Sequence, residues 1–447
     1  MKIKVVKFGG SSLADARQIE KARDIIMSDP DRRYIVVSAA GKRHNDDDKM
    51  TDLFINCHEI KDDEIKRKTI EDKIRTRYIE LVKDLDVDFD VEKELDYIFE
   101  KDKNETYVDF IASRGEYLSA KIISKYLNAT FLDMAGVIIF GKDRKIDYDT
   151  SYANIRTAIE KVENDYKDES VRIIIPGFYG STEDDDIVTF SRGGSDITGA
   201  VVARALNADI YENWTDVSGV MFADPRMAPN AKPIEYITYT ELRELSYMGA
   251  NVLHEATVYP VSKVGIPINI LNTNSPSDKG TMIIASIPSI AKRNVVTGVA
   301  GRKGFTSILL QRALMNEEVG YLSRLLKIFE NENIPVEHCP TGIDTISIVM
   351  RSEFLNGKKD KIIQKIKDEL APDLLNIEEN LSLFAVVGEG MVYHKEVIMN
   401  IFKVLSEANV TVKMIDQGSS GINVIIGVKD SDYESALRAL GSLQDIS

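Results

Sequence analysis

Residues 3–12 read IKVVKFGGSS and set the architecture of the first half of the chain. An apolar strand over residues 3–8 runs directly into a pair of glycines, and the apolar period over residues 13–27 predicts a helix after them. Continuous apolar strands recur further along, at 34–41, 172–180, 208–216 and 266–273. Strands of this kind, separated by helices, predict an α/β fold with a mostly parallel sheet sandwiched by helices.

The length and charge of the chain limit the classes of function that it can have. Its 447 residues correspond to about three domains. With 57 basic and 72 acidic residues, the net charge of −15 argues against a nucleic-acid backbone or an anionic membrane as the main partner. No apolar run approaches the roughly 20 residues of a spanning helix, and the first residues lack the apolar core of a signal peptide. We therefore expect a cytoplasmic protein that binds neither nucleic acid nor membrane.

The remaining segments predict how the chain divides into domains. Residues 56–105 are dense in mixed charge with apolar residues at helical spacing, which predicts a solvated helical insertion without chemistry. Near the C-terminus, segments beginning at Leu325 and Ile401 align at an offset of 76 residues without a gap. A period this long predicts two copies of one small domain, and the helix–strand alternation favours a ferredoxin-like βαββαβ unit. The predicted domains are 1–293, 294–378 and 379–447, and residues 295–304 could instead pair with the second repeat.

The glycine pair after the first strand is the first candidate for chemistry. Gly9 and Gly10 let backbone N–H groups approach a ligand without a Cβ in the way, and the helix that follows adds the positive end of its dipole. Lys7 can place a cation beside an anion held there. The segment therefore predicts a phosphate site, although a glycine pair between strand and helix can also be no more than a tight turn.

A second glycine pair occurs in FSRGGSD, residues 190–196, where another helix begins. Arg192 offers a planar fork suited to a carboxylate or a phosphate. Ser195 is expected to cap the helix, with Asp196 in its first turn. Capping alone would explain Ser195 and Asp196, but it does not explain an arginine placed before two glycines.

Three weaker signals lie elsewhere in the first half. Thr215 and Asp216 end a strand where a ribose or base edge could be held, and Arg226 follows in an Asp-Pro turn that could equally be structural. Glu116, in the helical segment SRGE, could hold an ammonium group or be a solvated side chain. Thr51 is by default a helix N-cap.

Taken together, these motifs resemble the aspartate kinase family, a branch of the amino-acid kinases. KFGGSS, SRGE, FSRGGSD, TDVSGV and ADPR occur in that family's order and spacing, and the C-terminal repeat matches its tandem ACT domains. The resemblance implies an amino-acid kinase fold followed by two ferredoxin-like ACT domains. It also implies transfer of the γ-phosphoryl group of ATP to the β-carboxylate of L-aspartate, the first step of lysine, threonine and methionine biosynthesis.

The resemblance implies a role for each motif residue. Lys7 would neutralise the transferred phosphoryl group, and Asp196 would orient Lys7 and its neighbours. Mg²⁺ would travel with ATP, bound mainly through phosphates and water. The phosphates would be cradled by Gly9, Gly10 and Ser11, and the rest of the nucleotide would be held by Thr215, Asp216 and Arg226. The residues that would bind aspartate are Thr51, Glu116, Arg192 and Ser195.

The chain departs from many relatives at Asn251, where they carry a lysine near the nucleotide. The resemblance further implies feedback by an amino acid bound between ACT domains of two subunits, which predicts a homodimer and allows a tetramer. The residues at the matching position are Met315, Gly320, Tyr321, Leu322, Glu337 and Thr341. Glu337, expected on the strand after the helix, could take an ammonium group, which favours lysine over threonine as the effector.

Two other interpretations of the sequence stay open. Another amino-acid kinase, acting on glutamate or N-acetylglutamate, would share the phosphate loop, but a substrate with a blocked amine would have no use for Glu116. A non-catalytic amino-acid sensor would use the ACT domains alone. The intact Lys7, Gly9, Gly10 and Asp196 argue against this second interpretation.

Overall fold

The computed structural model describes residues 2–166, 171–191, 193–250, 253, 255–287 and 295–445. The chain folds into two compact units. Unit 1 comprises Met1–Val220, Pro233–Tyr239 and Asn251–Pro288, and unit 2 comprises Met221–Lys232, Thr240–Ala250 and Ser289–Ser447. No helix in the described part of the chain is long and apolar enough to cross a membrane.

The elements of unit 1 alternate between strands and helices. The strands are β1 (Lys4–Phe8), β2 (Arg32–Val37), β3 (Thr130–Phe131), β4 (Ile139–Phe140), β5 (Ile146–Asp147), β6 (Ile173–Pro176), β7 (Tyr179–Ser181), β8 (Ile187–Thr189), β9 (Ile210–Thr215), β10 (Tyr236–Thr238), β11 (Ile268–Asn272) and β12 (Thr281–Ile284). The helices are α1 (Ala16–Met27), α2 (Met50–Glu59), α3 (Glu64–Asp84), α4 (Val91–Asp102), α5 (Asp109–Ala112), α6 (Arg114–Tyr126), α7 (Tyr148–Tyr166), α8 (Gly194–Ala205), α9 (Tyr239–Tyr247, most of which belongs to unit 2) and α10 (Glu255–Ser262).

The main sheet of unit 1 has eight strands in the order β10-β12-β11-β9-β1-β2-β6-β3. Its neighbours are parallel except for β11 and β12. This confirms the predicted mostly parallel sheet. β1 lies in the middle, between β2 and β9, so the carboxyl ends of three apolar strands meet where the first glycine pair follows.

The helices between residues 50 and 102 are more than a solvated insertion. Their outer faces are charged, as expected, but their inner faces enter a hydrophobic core of unit 1, where Phe54, Tyr78 and Leu95 are fully buried. The rings of Phe54 and Tyr78 lie 6.3 Å apart, which ties α2 to α3. The helical spacing of the apolar residues in this charged segment predicts the helices, but it does not show how much of their surface other parts of unit 1 bury.

Unit 2 contains the C-terminal repeat. Its strands are β13 (Gly298–Gln311), β14 (Thr345–Arg351), β15 (Leu374–Val387), β16 (Met414–Asp416) and β17 (Asn423–Lys429), and its helices are α11 (Tyr321–Asn331), α12 (Lys359–Leu370), α13 (Glu396–Glu407) and α14 (Tyr433–Gly441). The strands form one sheet in the order β14-β13-β15-β17-β16. Both long strands, β13 and β15, run through both repeats, and residues 298–303 pair with 382–387 of the second.

Two features of unit 2 differ from the expected arrangement. Two short segments, 221–232 and 240–250, pack with unit 2, so the predicted catalytic segment 1–293 is not one continuous piece of unit 1. The first segment belongs to unit 2 because Phe222 packs into the hydrophobic core of the second repeat. The carbonyl of Phe222 also accepts a hydrogen bond from Val299 N–H. The strand predicted to hold Glu337 is reduced to isolated bridges to β14 at His338 and Thr341.

Candidate active site

Two glycine-containing loops meet at the carboxyl end of β1. Gly9 N–H donates to the carbonyl of Trp214 on β9 at 2.9 Å, and Gly41 N–H, after β2, donates to the carbonyl of Gly10 at 2.9 Å. A Cβ at Gly41 would lie 2.5 Å from the carbonyl carbon of Gly10. This backbone contact therefore requires glycine at position 41.

The helix dipole at this edge comes from α8 and not from α1. The first glycine pair leads into a short 3-10 turn, Gly10–Leu13, and α1 begins only at Ala16 because the Asp15 carboxylate caps it by accepting from Gln18 N–H. A capped N-terminus has little left to offer an anion. By contrast, α8 begins at Gly194 after Gly193, which has a left-handed backbone and no side-chain cap. An anion would therefore be favoured at the start of α8.

Lys7 and Asp196 come together at this edge. The Lys7 ammonium, buried on β1, lies 2.5 Å from Asp196 Oδ1. Asn213, level with Lys7 on β9, donates to the same oxygen at 2.9 Å. Gly199 lets α8 lie close to the sheet, because a Cβ there would meet the Tyr211 ring at 2.5–2.7 Å. The sheet and α8 thus hold one ammonium group and one carboxylate side by side near the glycine loop.

Ser195 is the second residue of α8 and is not the cap that the sequence predicted, since Gly193 holds that place. Its side chain is buried against Gly177, where a Cβ would lie 2.6 Å from Ser195 Cβ. Gly177 N–H in turn donates to the carbonyl of Val37, at the end of β2. The loop after β6 therefore fixes the start of α8 against the central strands.

Glu116 is buried near Lys7. Burial raises the pKa of Glu116 to about 8, against the opposing influence of the N–H of Ala39 and the cations of Arg114 and Lys7. Glu116 Oε2 is buried without a hydrogen-bond partner among the described residues. A carboxyl oxygen in this condition is suited to a ligand that brings its own donor, such as an ammonium group.

Four of the other residues predicted from the sequence are described in the structure. Thr51 is half-buried in the first turn of α2. It is not the N-cap that the sequence predicts, because Lys49 occupies that position. Thr215 and Asp216 lie at the end of β9, with Asp216 exposed. Arg226 is exposed in unit 2 and pairs with Asp224 at 2.6 Å. Arg192 and Asn251 lie outside the described residues.

Of the six predicted effector residues in unit 2, three have surroundings that limit what they can do. Met315 and Tyr321 belong to the core of the first repeat, so mainly their backbone could reach a ligand. Gly320, with φ 83°, is the N-cap residue of α11. Glu337 is already paired: its carboxylate lies 3.0 Å from Arg351 Nε and accepts from the Tyr247 hydroxyl. Leu322 and Thr341 are at the surface.

Gly41, Gly177 and Asn213 belong to the site but were not predicted. The signal for the two glycines is present in the sequence, since each follows a continuous apolar strand, as Gly9 does. For Asn213 the signal is an amide within a largely buried strand, next to the charged Glu212. What the sequence does not show is that β2 and β9 flank β1 and that β6 pairs with β2.

Comparison with known proteins bears on this geometry. The model of the amino acid kinase family matches residues 2–272, and a model of the ACT domain matches residues 384–442. The chain is 37% identical to aspartokinase 3 of Bacillus subtilis over 98% of both chains. The chain belongs to the aspartokinase branch of the amino acid kinase family. This agrees with the resemblance that its motifs indicate.

Solved aspartokinase structures share the fold over nearly the whole chain. Aspartate kinase of Clostridium acetobutylicum superposes with a TM-score of 0.88 at 46% identity, covering 99% of this chain and 100% of that one. E. coli aspartokinase III, 25% identical and with 99% of both chains covered, has been solved with aspartate and ADP (R-state, TM-score 0.75) and with lysine and aspartate (T-state, TM-score 0.73). The fold, including the ACT domains, is therefore that of an aspartokinase.

The site fits a polyphosphate better than a protein-bound metal. The residues described in the structure include no group of three or more histidine, cysteine, aspartate or glutamate side chains able to hold a metal ion. The glycine loop, the uncapped start of α8 and the Lys7 ammonium offer donors and positive charge instead. A divalent ion that entered with a nucleotide would be held mainly by phosphate oxygens and water.

Proposed function

We propose that this aspartokinase transfers the γ-phosphoryl group of ATP to the β-carboxylate of L-aspartate at the loop after β1. Gly9, Gly10 and Ser11 cradle the phosphates, and Lys7 neutralises the transferred group. The observation that carries the proposal is the pair of the buried Lys7 with the half-buried Asp196, 2.5 Å apart beside the glycine loop. A buried cation fixed by a carboxylate, which an amide holds in turn, can offset the charge that develops on a phosphoryl group.

The reaction needs alignment more than acid–base chemistry. The attacking carboxylate is already an anion, so no general base has to remove a proton. The protein must bring two negatively charged reactants into line and offset their repulsion. Lys7 supplies this offset, and Asp196 and Asn213 hold Lys7 in place. Mg²⁺, carried on the ATP phosphates, would supply further charge neutralisation.

The substrate aspartate is bound through its α-ammonium and α-carboxylate groups, which leaves its β-carboxylate free to attack. Glu116 receives the α-ammonium group, and Arg192, together with Ser195 and Thr51, receives the α-carboxylate side. The support for Glu116 is its buried oxygen without a partner among the described residues, close enough to Lys7 for their charges to interact. Thr215, Asp216 and Arg226 are assigned to the nucleotide by family resemblance.

An assay of ADP release tests the reaction. The purified protein is mixed with ATP and Mg²⁺ and offered aspartate, glutamate or N-acetylglutamate. We expect turnover with aspartate that far exceeds turnover with the other two acceptors. Turnover with N-acetylglutamate would contradict the assignment of Glu116, and absence of turnover with every acceptor would favour an amino-acid sensor.

The pKa of Glu116 predicts how aspartate binding depends on pH. Below about pH 8 the unliganded enzyme keeps this carboxyl neutral, and a bound ammonium group must expel the proton. The KM for aspartate should therefore fall as the pH rises towards 8, by up to about tenfold per pH unit, and then level off. Initial rates across this range measure it. A KM independent of pH would show that Glu116 does not meet the ammonium group.

We also propose that lysine is the feedback effector and that it binds at the start of α11. Two considerations support an ammonium-bearing effector: the family resemblance includes the carboxylate of Glu337 among the effector residues, and E. coli aspartokinase III has been solved with lysine. Because Glu337 is paired with Arg351 and Tyr247, lysine would have to displace these partners. The contact that it would break, between Glu337 and α9, could carry the signal.

The variant Glu337→Gln tests this assignment. The amide keeps the shape and can still accept from Tyr247, but it loses the charge that attracts an ammonium group. We expect the lysine concentration for half-inhibition to rise about tenfold or more, within the usual range of allosteric coupling, with kcat unchanged. Lys359→Gln, at an exposed pair with Glu379 in the same repeat, is the control. Unchanged inhibition in Glu337→Gln would contradict the assignment.

Exposed apolar side chains near α11 bear on the assembly of the protein. Val319, Leu322 and Leu326, at and just before α11, expose apolar side chains that a second subunit could cover. We propose a homodimer through the ACT domains, with a tetramer as a possible higher state, and light scattering on the purified protein measures which forms. A cytoplasmic location stays a prediction from the sequence.

A further inference from the structure

Arg77, in the middle of α3, is buried and reaches out of the helical region to the active-site loops. Its Nη2 donates to the carbonyl of Ala14 at 2.7 Å and to the carbonyl of Gly41 at 2.8 Å. Its Nη1 lies 2.5 Å from the carboxylate of Asp47. One guanidinium therefore joins two segments: the exit of the glycine loop after β1, at Ala14, and the connection between β2 and α2, at Gly41 and again at Asp47.

These contacts flank the proposed phosphate cradle: Ala14 follows Ser11 by three residues, and Gly41 is bonded to Gly10. Gly41 is the residue whose N–H donates to the Gly10 carbonyl and whose Cα hydrogen faces the Gly10 backbone. Ala14 follows the 3-10 turn that contains Gly10 and Ser11. Glycine-rich backbone is intrinsically free to adopt many conformations, so its geometry has to be fixed by neighbours. Arg77 fixes the loop from both sides.

The other buried or half-buried arginines of α3 behave differently. Arg67 and Arg75 form their ion pairs inside the helical region, with Glu71 and Asp102 and with Asp96 respectively. Among the arginines that the structure describes on this helix, Arg77 alone donates to backbone carbonyls of the segments that follow β1 and β2. Its neighbour Tyr78 donates to the carbonyl of Gly115, next to Glu116. The same turn of α3 thus supports both halves of the proposed site.

The charge balance around Arg77 also favours a fixed position. Burial raises the pKa of Asp47, but hydrogen bonds from Arg43 and Arg77 outweigh it and hold that pKa below the usual value. Asp47 is therefore ionised at neutral pH, and Arg77 keeps a partner of opposite charge. A guanidinium has donors in a planar fork, which lets it hold the carboxylate and the two carbonyls at once.

We propose that Arg77 is a positioning residue for phosphoryl transfer. It does not touch the substrates. It holds the Gly41 and Ala14 carbonyls so that the Gly9–Ser11 loop keeps the geometry that receives the ATP phosphates. The helical segment 50–102, whose charged sequence resembles a passive insertion, is on this account part of the active-site framework. The proposal rests on the proposed assignment of the phosphate loop.

The test compares Arg77→Met with Arg75→Met, the same substitution two residues earlier on the same helix. Arg75→Met also loses an ion pair and a contact with a ring, with Asp96 and Phe99, but among the described residues neither of these contacts involves a loop of the proposed site. For each folded variant we would measure kcat, both KM values, the melting temperature, and the affinity for ATP–Mg²⁺ by calorimetry. Calorimetry does not depend on which acceptor is phosphorylated, so it separates failure of this inference from failure of the proposed function.

We expect Arg77→Met to lower kcat/KM for ATP by about 10- to 100-fold and to weaken ATP affinity, while Arg75→Met stays within about threefold of wild type. Arg77→Lys keeps the charge but cannot span both carbonyls and Asp47, so it should show a smaller loss of the same kind. This second variant serves if Arg77→Met does not fold. Wild-type ATP affinity and kcat in folded Arg77→Met or Arg77→Lys would overturn the proposal, and so would equal losses in Arg75→Met.

Discussion

Replacing Lys7 by methionine is expected to lower kcat by about 10²–10³-fold, the scale on which removal of one transition-state charge contact acts. Methionine keeps an apolar stem of similar length in this buried position, so the change removes mainly the charge. The KM for ATP should rise less than kcat falls, because phosphate groups are also held by backbone N–H groups of the loop. Steady-state kinetics with aspartate and ATP measure both constants.

Lys4→Met is the matched control for this variant. Lys4 lies on the same strand three residues earlier and pairs with Asp29 at 2.6 Å, away from the glycine loop. It should keep the wild-type kcat and lose only stability. Since Lys7→Met leaves Asp196 without its cation, the melting temperature of both variants has to be recorded. A folded Lys7→Met enzyme with wild-type kcat would remove Lys7 from the mechanism.

The second large effect is expected for Glu116→Gln, which should raise the KM for aspartate about 100-fold and change the KM for ATP little. Loss of one partner of a buried, hydrogen-bonded charge pair has this size. The same variant should lose the pH dependence of aspartate binding, since glutamine cannot release a proton. Its melting temperature should stay close to wild type at neutral pH, because the Glu116 carboxyl is already mostly neutral there in the unliganded protein.

The control for Glu116 is Glu94→Gln on α4. Glu94 pairs with Lys121 at 2.9 Å in the outer part of the helical region. We expect its aspartate KM to match that of the wild type. Equal increases of the aspartate and ATP KM values in Glu116→Gln would show that the residue supports the fold of the site and does not meet the ammonium group.

The parallel sheet and the repeat could be predicted because each rests on local pattern. Continuous apolar strands such as 34–41 are typical of strands buried on both faces, and an offset of 76 residues is visible by alignment of the chain with itself. Lys7 and Asp196 were named from motifs 189 residues apart in sequence, and the structure brings them to 2.5 Å. The sequence motifs identify Lys7 and Asp196 separately, and the family resemblance indicates that the two residues act together.

The caps could not be predicted from residue type alone. Ser195 and Thr51 are both residues that favour N-cap positions, yet Gly193 and Lys49 occupy those places. At Ser195 the reason is tertiary: the side chain is buried against Gly177, which fixes the residue inside the first turn. Asp15 caps α1 and shortens the predicted helix, so that the dipole available to phosphate comes from α8.

The role of the charged helices was also hidden from the sequence. Arg77 is one of many basic residues between 56 and 105, and nothing in its local context separates it from Lys73 or Lys83. Only the fold shows that its guanidinium reaches the carbonyls of Ala14 and Gly41. Long-range hydrogen bonds to backbone carry no signature in composition or spacing. The same limit applies to Glu337, whose pairing with Arg351 depends on how α9 and β14 meet it.

The most direct test of the account is a crystal structure of this protein with ATP analogue, Mg²⁺ and aspartate. We predict that the phosphates lie within about 3 Å of the N–H groups of Gly10 and Ser11 and of Lys7 Nζ, with the aspartate ammonium group on Glu116. Phosphates bound at any other edge of the sheet, with the glycine loop facing solvent, would contradict the account.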